Sequence, residues 1–195
     1  MNNEELNNII ESRLKDSIYI KQKAVEYNII NIITVSQAIV NTLNNNKKIM
    51  ICGNGGSAAD SQHIAGEFVG RFLENRKALR AIALTTDTSI LTALGNDFGF
   101  EIIFNRQVEA LGEKDDILIG ISTGGNSKNV INAFKLANEM GIKTISFTGQ
   151  DGGELKKISF ININVESNST PRIQETHTFI YHMISELVEK EFCSE

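Results

Sequence analysis

From residue 48 onward, five short apolar runs alternate with segments of helical spacing, and this alternation constrains the fold more than any other feature. The runs are KIMIC (48–52), RAIALT (80–85), DILIGIS (116–122), KTISFT (143–148) and FININV (160–165). Segments with helical spacing lie near residues 57–72, 86–95, 100–111, 127–140 and 171–191. Unbroken apolar strands joined by helices are typical of a parallel sheet covered on both faces. We therefore predict a three-layer α/β fold with a five-stranded parallel sheet flanked by helices.

The chain before this alternation is predicted to be helical. In residues 3–45, the segments LNNIIESRL and IINIITVSQAIVNTL place apolar residues three and four apart. The second segment is apolar over a wider arc than one domain face requires, so we expect part of it to pack on another subunit. We predict one domain over residues 1–195, with N-terminal helices in 1–46 that serve oligomer packing and an α/β sandwich in 47–195.

Composition excludes several classes of function. The formal net charge is −5 and there is no block of five basic residues, so nucleic acid is not an expected partner. Cys52 and Cys193, the only two cysteines, lie too far apart for a thiolate zinc motif. No apolar stretch approaches the roughly 18 residues of a membrane span, and the N-terminus lacks the apolar core of a signal peptide. We expect a cytoplasmic protein that does not enter the membrane.

A first glycine loop, GNGGSA, spans residues 53–58 between a predicted strand and a predicted helix. It matches the dinucleotide pattern G-x-G-x-x-[GA], which should be accompanied by an acidic residue near the end of the next strand, about 20 residues on, to bind a ribose. Asp87 lies somewhat late for this role, and Glu74 lies in the unsuitable segment ENRK. The same loop could cradle a sugar phosphate, or it could simply turn the chain. The sequence around this loop leaves all three interpretations open.

A second loop, STGGNS, spans residues 122–127 and again follows a strand and precedes a helix. Hydroxyl groups and free amide N–H groups at a helix N-terminus suit a phosphate, with Ser122, Thr123 and Ser127 as donors. Alternatively, Ser127 or Asn126 could simply cap the helix. GISTG also matches the nucleophile elbow of hydrolases, with Ser122 as the nucleophile. Because ligands bind beyond the carboxyl ends of parallel strands, two such loops together favour a ligand site.

Histidines and acidic residues near the loops are candidate catalytic groups. His63 and Glu67 are four residues apart and share a helix face, as either a candidate base with its orienting group or a weak surface pair. In the last helix, His177 lies along the apolar stripe and could be a packing residue, whereas His182 could pair with Glu186. Asn96 and Asp97 stand in a segment where such residues are ordinary.

Taken together, the motifs resemble the phosphosugar isomerase (SIS) domain and, within it, the phosphoheptose isomerases. Six segments carry the resemblance in family order: GNGGSAADSQHIAGEF, LTTDTS, GNDFGFE, DILIGISTGGNSKNV, TGQDGGEL and RIQETHTFIYH. The resemblance extends over essentially the whole chain, including the N-terminal helices. The resemblance implies a five-stranded SIS fold and a homotetramer with active sites at subunit contacts. It also implies interconversion of sedoheptulose 7-phosphate and D-glycero-D-manno-heptose 7-phosphate, a step towards activated heptose for lipopolysaccharide, capsule or other surface polysaccharide.

The resemblance also implies roles for individual residues. Glu67 and His182 correspond to the acid/base pair. One Zn²⁺ per subunit is implied, with the ligands His63, Glu67, Gln174 and His182. The implied substrate contacts are Asn54, Gly55, Gly56, Ser57, Glu67, Asn96, Asp97, Ser122, Thr123, Gly124, Ser127 and Gln174.

The phosphate loop departs from the family pattern at one position. Gly124 stands where the family usually has serine, so one hydroxyl is lost although the backbone N–H remains. A non-catalytic relative, the initiator-associating protein that binds the replication initiator DnaA, shares the fold and both loops but lacks equivalents of Glu67 and His182. It is the alternative interpretation of this chain.

Overall fold

The computed structural model describes residues 1–193 of the chain, which form seven α-helices and five β-strands. The strands are β1 (Ile49–Gly53), β2 (Ala81–Ala83), β3 (Ile117–Ser122), β4 (Lys143–Gly149) and β5 (Ile161–Val165). The helices are α1 (Asn3–Asn44), α2 (Gly56–Val69), α3 (Thr88–Asp97), α4 (Asn105–Leu111), α5 (Lys128–Glu139), α6 (Gly153–Ile158) and α7 (Thr170–Cys193). A short 3₁₀ helix at Phe100–Ile102 precedes α4.

All five strands run parallel in one sheet, in the order β2-β1-β3-β4-β5. Strands β1 and β3 are therefore neighbours, with Gly53 opposite Ile121 at their carboxyl ends. Both strands are buried along their whole length, which explains their unbroken apolar runs. The predicted three-layer α/β fold with a five-stranded parallel sheet is confirmed.

Helices cover the sheet on both faces. One face packs against α1, α2 and α7 in a core that includes Ile39, Phe68 and Ile180. The other face packs against α4, α5 and α6, with Val108 and Phe134 at its centre. In contrast, α3 contributes no buried residue and lies on the surface.

Four elements differ from the sequence prediction. The predicted N-terminal helices form one uninterrupted helix, because residues 3–44 contain neither glycine nor proline and a capping box at Asn2 and Glu5 fixes its start. Strand β2 is only three residues long, and the helix predicted at 100–111 is divided into a 3₁₀ turn and α4. The short helix α6 was not predicted.

Asparagine side chains of α1 cover the open edge of β5. The Asn28 amide donates to the backbone oxygen of Asn164 over 2.8 Å, and its oxygen accepts from the Asn164 N–H over 3.2 Å. One turn further along the helix, Asn31 donates to the backbone oxygen of Asn162 over 3.0 Å. The α1 helix therefore replaces a missing sixth strand and satisfies backbone groups that would otherwise be exposed.

In the described part of the chain, we find no helix with the length and apolar character that a membrane crossing requires. Cys52 is buried at the end of β1 and Cys193 is exposed, and neither forms a disulfide. Burial raises the pKa of the Cys52 thiol well above its ordinary value, as expected for a small core residue rather than a reactive one.

Candidate active site

The two glycine loops lie side by side at the carboxyl end of the sheet. Because β1 and β3 are adjacent and parallel, the loops that follow them emerge at the same edge. A pair of amide side chains joins them: Asn54 of the first loop and Asn129 of α5 exchange two hydrogen bonds of 2.9 Å each. The loops therefore form one continuous polar surface.

The first loop turns sharply into α2. Gly55 has a φ of +57° and a ψ of −121°, a conformation that residues with side chains rarely adopt. Gly56 begins α2, and a Cβ atom there would overlap the amide nitrogen of Gln174. The structure thus brings Gln174 of α7 directly against the first loop. Ser57 is buried one residue further on.

The second loop holds two hydroxyl groups together instead of using them as helix caps. Ser127 occupies the N-cap position of α5 but makes no capping bond with its side chain. Its Oγ lies 2.9 Å from Oγ of Ser122. The amide of Asn126 is also used elsewhere, since it donates to the Gly124 carbonyl and accepts from the Glu154 N–H. The interpretation of this loop as an ordinary cap is therefore disfavoured.

Three ionisable side chains converge beside the loops. His63 and Glu67 project from α2, and His182 projects from the facing helix α7. Nε2 of His63 lies 2.8 Å from Oε1 of Glu67, and Nε2 of His182 lies 3.9 Å from the same oxygen. The two imidazole Nε2 atoms are 3.5 Å apart. The helical spacing of His63 and Glu67 thus forms one half of the cluster, and α7 supplies the other half.

A second layer of polar groups orients His63. The hydroxyl of Tyr181 lies 2.8 Å from Nδ1 of His63 and donates to Asp60 over 3.3 Å. Desolvation raises the pKa of Tyr181 to about 12, so the phenol stays protonated. Burial also raises the pKa of Asp60, against the opposing effects of Tyr181 and His63. This arrangement leaves Nε2 of His63 directed at Glu67.

The environment of His182 favours its neutral form. Desolvation lowers the pKa of the imidazole, the nearby His63 lowers it further, and Glu67 opposes both effects. The Phe72 ring covers one side of His182, with ring centroids 5.4 Å apart. A neutral imidazole beside a carboxylate can both accept and donate a proton near neutral pH.

The cluster also fits a divalent metal. Two imidazoles and one carboxylate form a donor set that zinc uses in catalytic sites, with a fourth position left for water or substrate. Tetrahedral zinc with bonds of about 2.0–2.1 Å holds its ligand atoms roughly 3.3 Å apart. The three donor atoms of His63, Glu67 and His182 all lie within 4.8 Å of one another. His63, Glu67 and His182 could therefore hold one Zn²⁺ with small side-chain adjustments.

Other predicted site residues are not brought into this cluster. Gln174 lies on the same uninterrupted helix as His182 but eight residues earlier, about 12 Å along the axis. Asn96 and Asp97 are exposed at the end of α3, and the side-chain hydrogen bond we observe for them, of 2.8 Å, joins them to each other. Their roles stay predictions.

The third histidine, His177, is a packing residue of the protein interior. His177 is fully buried, packs edge-on against Phe147, and lies 2.9 Å through Nε2 from the backbone oxygen of Thr148. Ser122 has Ser127 as its side-chain partner rather than a histidine. The nucleophile-elbow interpretation of GISTG therefore gains no support.

Sequence reasoning did not identify Asp60, Tyr181 and Phe72 as parts of the site. Asp60 precedes His63 by three residues on α2, a spacing that could have suggested a shared face. No sequence signal places Tyr181 against α2, because that contact depends on how α7 packs across the sheet. Phe72 stands in a loop whose path the sequence does not determine.

Comparison with known proteins shows the family to which the chain belongs. The family model for the SIS domain matches residues 14–149. A phosphoheptose isomerase of Clostridium acetobutylicum is 50% identical over 192 residues, which cover 97% of this chain and 98% of that protein. The chain belongs to the phosphoheptose isomerase family of SIS-domain proteins. A second phosphoheptose isomerase, from Aliarcobacter butzleri, is 56% identical over 80% of this chain and 82% of its own length.

A solved structure of the phosphoheptose isomerase family has the same fold. The enzyme of Neisseria gonorrhoeae is 41% identical and superposes with a TM-score of 0.90 over 95% of this chain and 99% of its own. Because this match covers 95% of the chain, it extends well beyond residues 14–149, the segment matched by the SIS-domain model. The resemblance inferred from sequence motifs is confirmed.

Proposed function

We propose that the chain is an aldose–ketose isomerase that converts sedoheptulose 7-phosphate to D-glycero-D-manno-heptose 7-phosphate through an enediol. The observation that carries the proposal is the convergence of Glu67 and His182 beside two polar loops, in a member of the phosphoheptose isomerase family. The product is a precursor for activated heptose in surface polysaccharides such as lipopolysaccharide or capsule. The cytoplasm is the expected location.

The reaction moves two protons and leaves the atoms of the sugar otherwise unchanged. A proton leaves C1 and one is added to C2, while the O1 hydroxyl loses its proton and O2 gains one. We assign the carbon-bound proton to the Glu67 carboxylate and the oxygen-bound proton to the neutral imidazole of His182. Positioned acid and base groups each contribute about 10²–10⁴-fold to such a step.

The phosphate is expected to bind in the second loop. The paired hydroxyls of Ser122 and Ser127, together with Thr123 and the backbone N–H of Gly124, present donors near the start of α5. The first loop, through Asn54, Gly55, Gly56 and Ser57, would contact the sugar hydroxyls, with Gln174 beside it. Binding energy from a phosphate remote from the reacting carbons holds them in place.

We propose one Zn²⁺ per subunit, held by His63, Glu67 and His182. Gln174 of the same chain lies against the first loop, so we propose that the Gln174 ligand comes from a neighbouring subunit. When bound there, zinc supplies a Lewis acid for the sugar carbonyl. Both imidazoles face Oε1 of Glu67, so Oε2 of the same carboxylate stays available for proton transfer. Glu67 can therefore act as a metal ligand through Oε1 and as a base through Oε2. His182 would bind the metal through one ring nitrogen and keep the other for the oxygen-bound proton.

We further propose a homotetramer with shared active sites. Ten large apolar side chains of α1 are exposed: Leu6, Ile9, Ile10, Leu14, Ile18, Tyr19, Tyr27, Ile29, Ile30 and Ile33. Monomeric soluble proteins rarely leave apolar surfaces of this extent in water. Asn96 and Asp97, which are exposed and bond to each other within one chain, would contact substrate across a subunit contact.

The assignment of Glu67 and His182 is tested by two variants. Glu67→Gln and His182→Ala should each reduce turnover of sedoheptulose 7-phosphate to background, and both should keep a folded protein that still binds the sugar phosphate by calorimetry. Near-normal turnover in both variants would exclude this acid/base pair. The alternative, a binding protein of the initiator-associating type, predicts no turnover in the wild type either.

A further inference from the structure

A buried carboxylate on α7 holds the loop that follows α2. Glu189 accepts hydrogen bonds from three consecutive backbone N–H groups, those of Phe72, Leu73 and Glu74, over 2.8, 2.6 and 2.9 Å. The Glu189 side chain is only 3% exposed. A carboxylate bound by several backbone N–H groups is strongly held, because each bond to a charged acceptor is stronger than a neutral one.

Arg76 completes this attachment from the loop side. Its Nε lies 3.2 Å from Oε1 of Glu189, and its side chain is 1% exposed. The guanidinium also donates to backbone carbonyls at the end of α2, to Glu67 over 2.6 Å and to Phe68 over 2.9 Å. We call Arg76 and Glu189 the buried ion pair.

The buried ion pair reaches both members of the proposed acid/base pair. On the α2 side, Arg76 binds the backbone oxygen of Glu67 itself. On the α7 side, Glu189 follows His182 by seven residues, two turns, so the two residues lie on nearly the same face of the helix. Between them, the Phe72 ring lies over the His182 ring with centroids 5.4 Å apart.

Such a buried pair is poorly explained by packing alone. Removing two charges from water is costly, and apolar residues of similar size often stabilise a fold as well or better. Burial by itself raises the pKa of Glu189, but the three N–H groups and Arg76 outweigh it and hold the pKa below its ordinary value. The carboxylate is thus ionised at neutral pH, and its charge is used to fix the position of a loop.

We propose that Glu189 and Arg76 are positioning residues for the isomerase reaction, which set the distance between Glu67 and His182 by fixing the end of α2 and the Phe72 ring. The proposal rests on the proposed function. A displacement of about 1 Å in a catalytic group can cost on the order of 10²-fold in rate. Loss of the buried ion pair should therefore affect turnover more than binding, because the phosphate loop lies on a different element.

The test compares Glu189→Gln with Glu186→Gln. Glu186 lies on the same helix three residues earlier, has a side chain that is 41% exposed, and pairs with Lys190 over 2.7 Å. Its variant removes one charge from α7 without touching the loop. We would measure kcat and KM for sedoheptulose 7-phosphate, and the imidazole proton resonances of the full-length protein by NMR. The chain has three histidines, so the imidazole resonances are few. The variant Phe72→Leu shows where the His182 resonances lie when the aromatic ring of Phe72 is absent.

Glu189→Gln is expected to lower kcat by about 10- to 100-fold with KM changed less than about threefold, and to move the His182 resonances towards their Phe72→Leu positions. Glu186→Gln should match the wild type in its kinetic constants and in its His182 resonances. A folded Glu189→Gln protein with wild-type kcat or wild-type His182 resonances overturns the proposal. If Glu189→Gln does not fold, Phe72→Leu decides: a kcat loss of 10-fold or more at similar KM supports the proposal, and unchanged kcat overturns it.

Failure of the proposed function is distinguishable from failure of this inference. If the wild-type protein does not isomerise the sugar phosphate, the proposed function fails. The His182 resonances of Glu189→Gln still show whether the buried ion pair positions the ring, and resonances at their wild-type positions overturn the inference.

Discussion

At the scale of single residues, Gly124 stands in the second loop where the family resemblance leads us to expect a serine. A Cβ atom at Gly124 would meet no atom closer than the Gln150 Oε1 at 3.8 Å, so a side chain can be accommodated. Gly125, the next residue, has a φ of +66° and would clash with the backbone of Gly152. The glycine at 124 is therefore not required by the turn.

We predict that Gly124→Ser strengthens substrate binding. The added hydroxyl would supply one more donor to the phosphate, and a hydrogen bond to a charged group contributes about 1.5–3 kcal/mol. KM for the sugar phosphate should fall several-fold or more while kcat changes little, as steady-state kinetics would reveal. A higher KM would mean that the phosphate does not lie against this position.

His177 should make folding stability dependent on pH. Burial lowers the pKa of His177 to about 4, against an ordinary value of 6.5, although the bond to Thr148 opposes the shift. The folded state then binds fewer protons than the unfolded state between these values. The contribution of His177 to the unfolding free energy is fully present above pH 6.5. It falls by up to about 1.4 kcal/mol per pH unit as the pH drops towards 4.

The variant His177→Gln keeps a donor for the Thr148 carbonyl but cannot titrate. Between pH 6.5 and 4.5, wild-type protein should lose about 2–3 kcal/mol more of its unfolding free energy than the variant loses. Urea denaturation at several pH values measures this difference. The contributions of carboxylates, which both proteins share, cancel in the comparison. If the unfolding free energies of the two proteins change in parallel with pH, His177 is not the source of the pH dependence.

Two of the three residues in the His63–Glu67–His182 cluster could be predicted from residue spacing. His63 and Glu67 share a helix face by their spacing of four, and the structure places them 2.8 Å apart. His182 could not be chosen over His177 by periodicity, because only the packing of α7 decides which histidine faces α2. The family resemblance supplied that choice.

At the scale of secondary-structure elements, the apolar runs predicted the strands well because buried parallel strands need apolar residues on both faces. The continuity of α1 as a single helix and the existence of α6 were not predicted. Helix α6 has six residues, and the glycine before it, Gly152, and its first residue, Gly153, both have positive φ, a context that resembles a loop in sequence.

The contact between α1 and β5 gives a prediction about these elements. Asn28→Ala would leave the Asn164 N–H and C=O without their partner in a buried region, and a buried unpaired polar group costs about 1–3 kcal/mol. We expect Asn28→Ala to lower the unfolding free energy by about 2 kcal/mol. Asn7→Ala, on an exposed turn of the same helix, is the matched control and should have little effect. Equal stability of the two variants would contradict this role of Asn28.

At the scale of the whole molecule, the exposed apolar surface of α1 predicts association. Ile30 is 74% exposed in the single chain. Introducing a charge by Ile30→Asp should shift the protein from a tetramer towards smaller species in light scattering, because a charge cannot be buried unpaired in a contact. Lys135→Asp, on the opposite face of the sheet, should leave the assembly unchanged. A wild-type monomer would contradict the proposed tetramer.

The central claim, an enediol isomerisation at Glu67 and His182, is tested most directly by solvent-deuterium incorporation into sedoheptulose 7-phosphate, followed by NMR with and without added zinc. The account predicts deuterium at C1 of the ketose and C2 of the aldose, appearance of the aldose, and loss of both signals in Glu67→Gln. Neither exchange nor aldose from a folded wild-type protein, with zinc present or absent, would contradict it and would favour a sugar-phosphate-binding protein without catalysis.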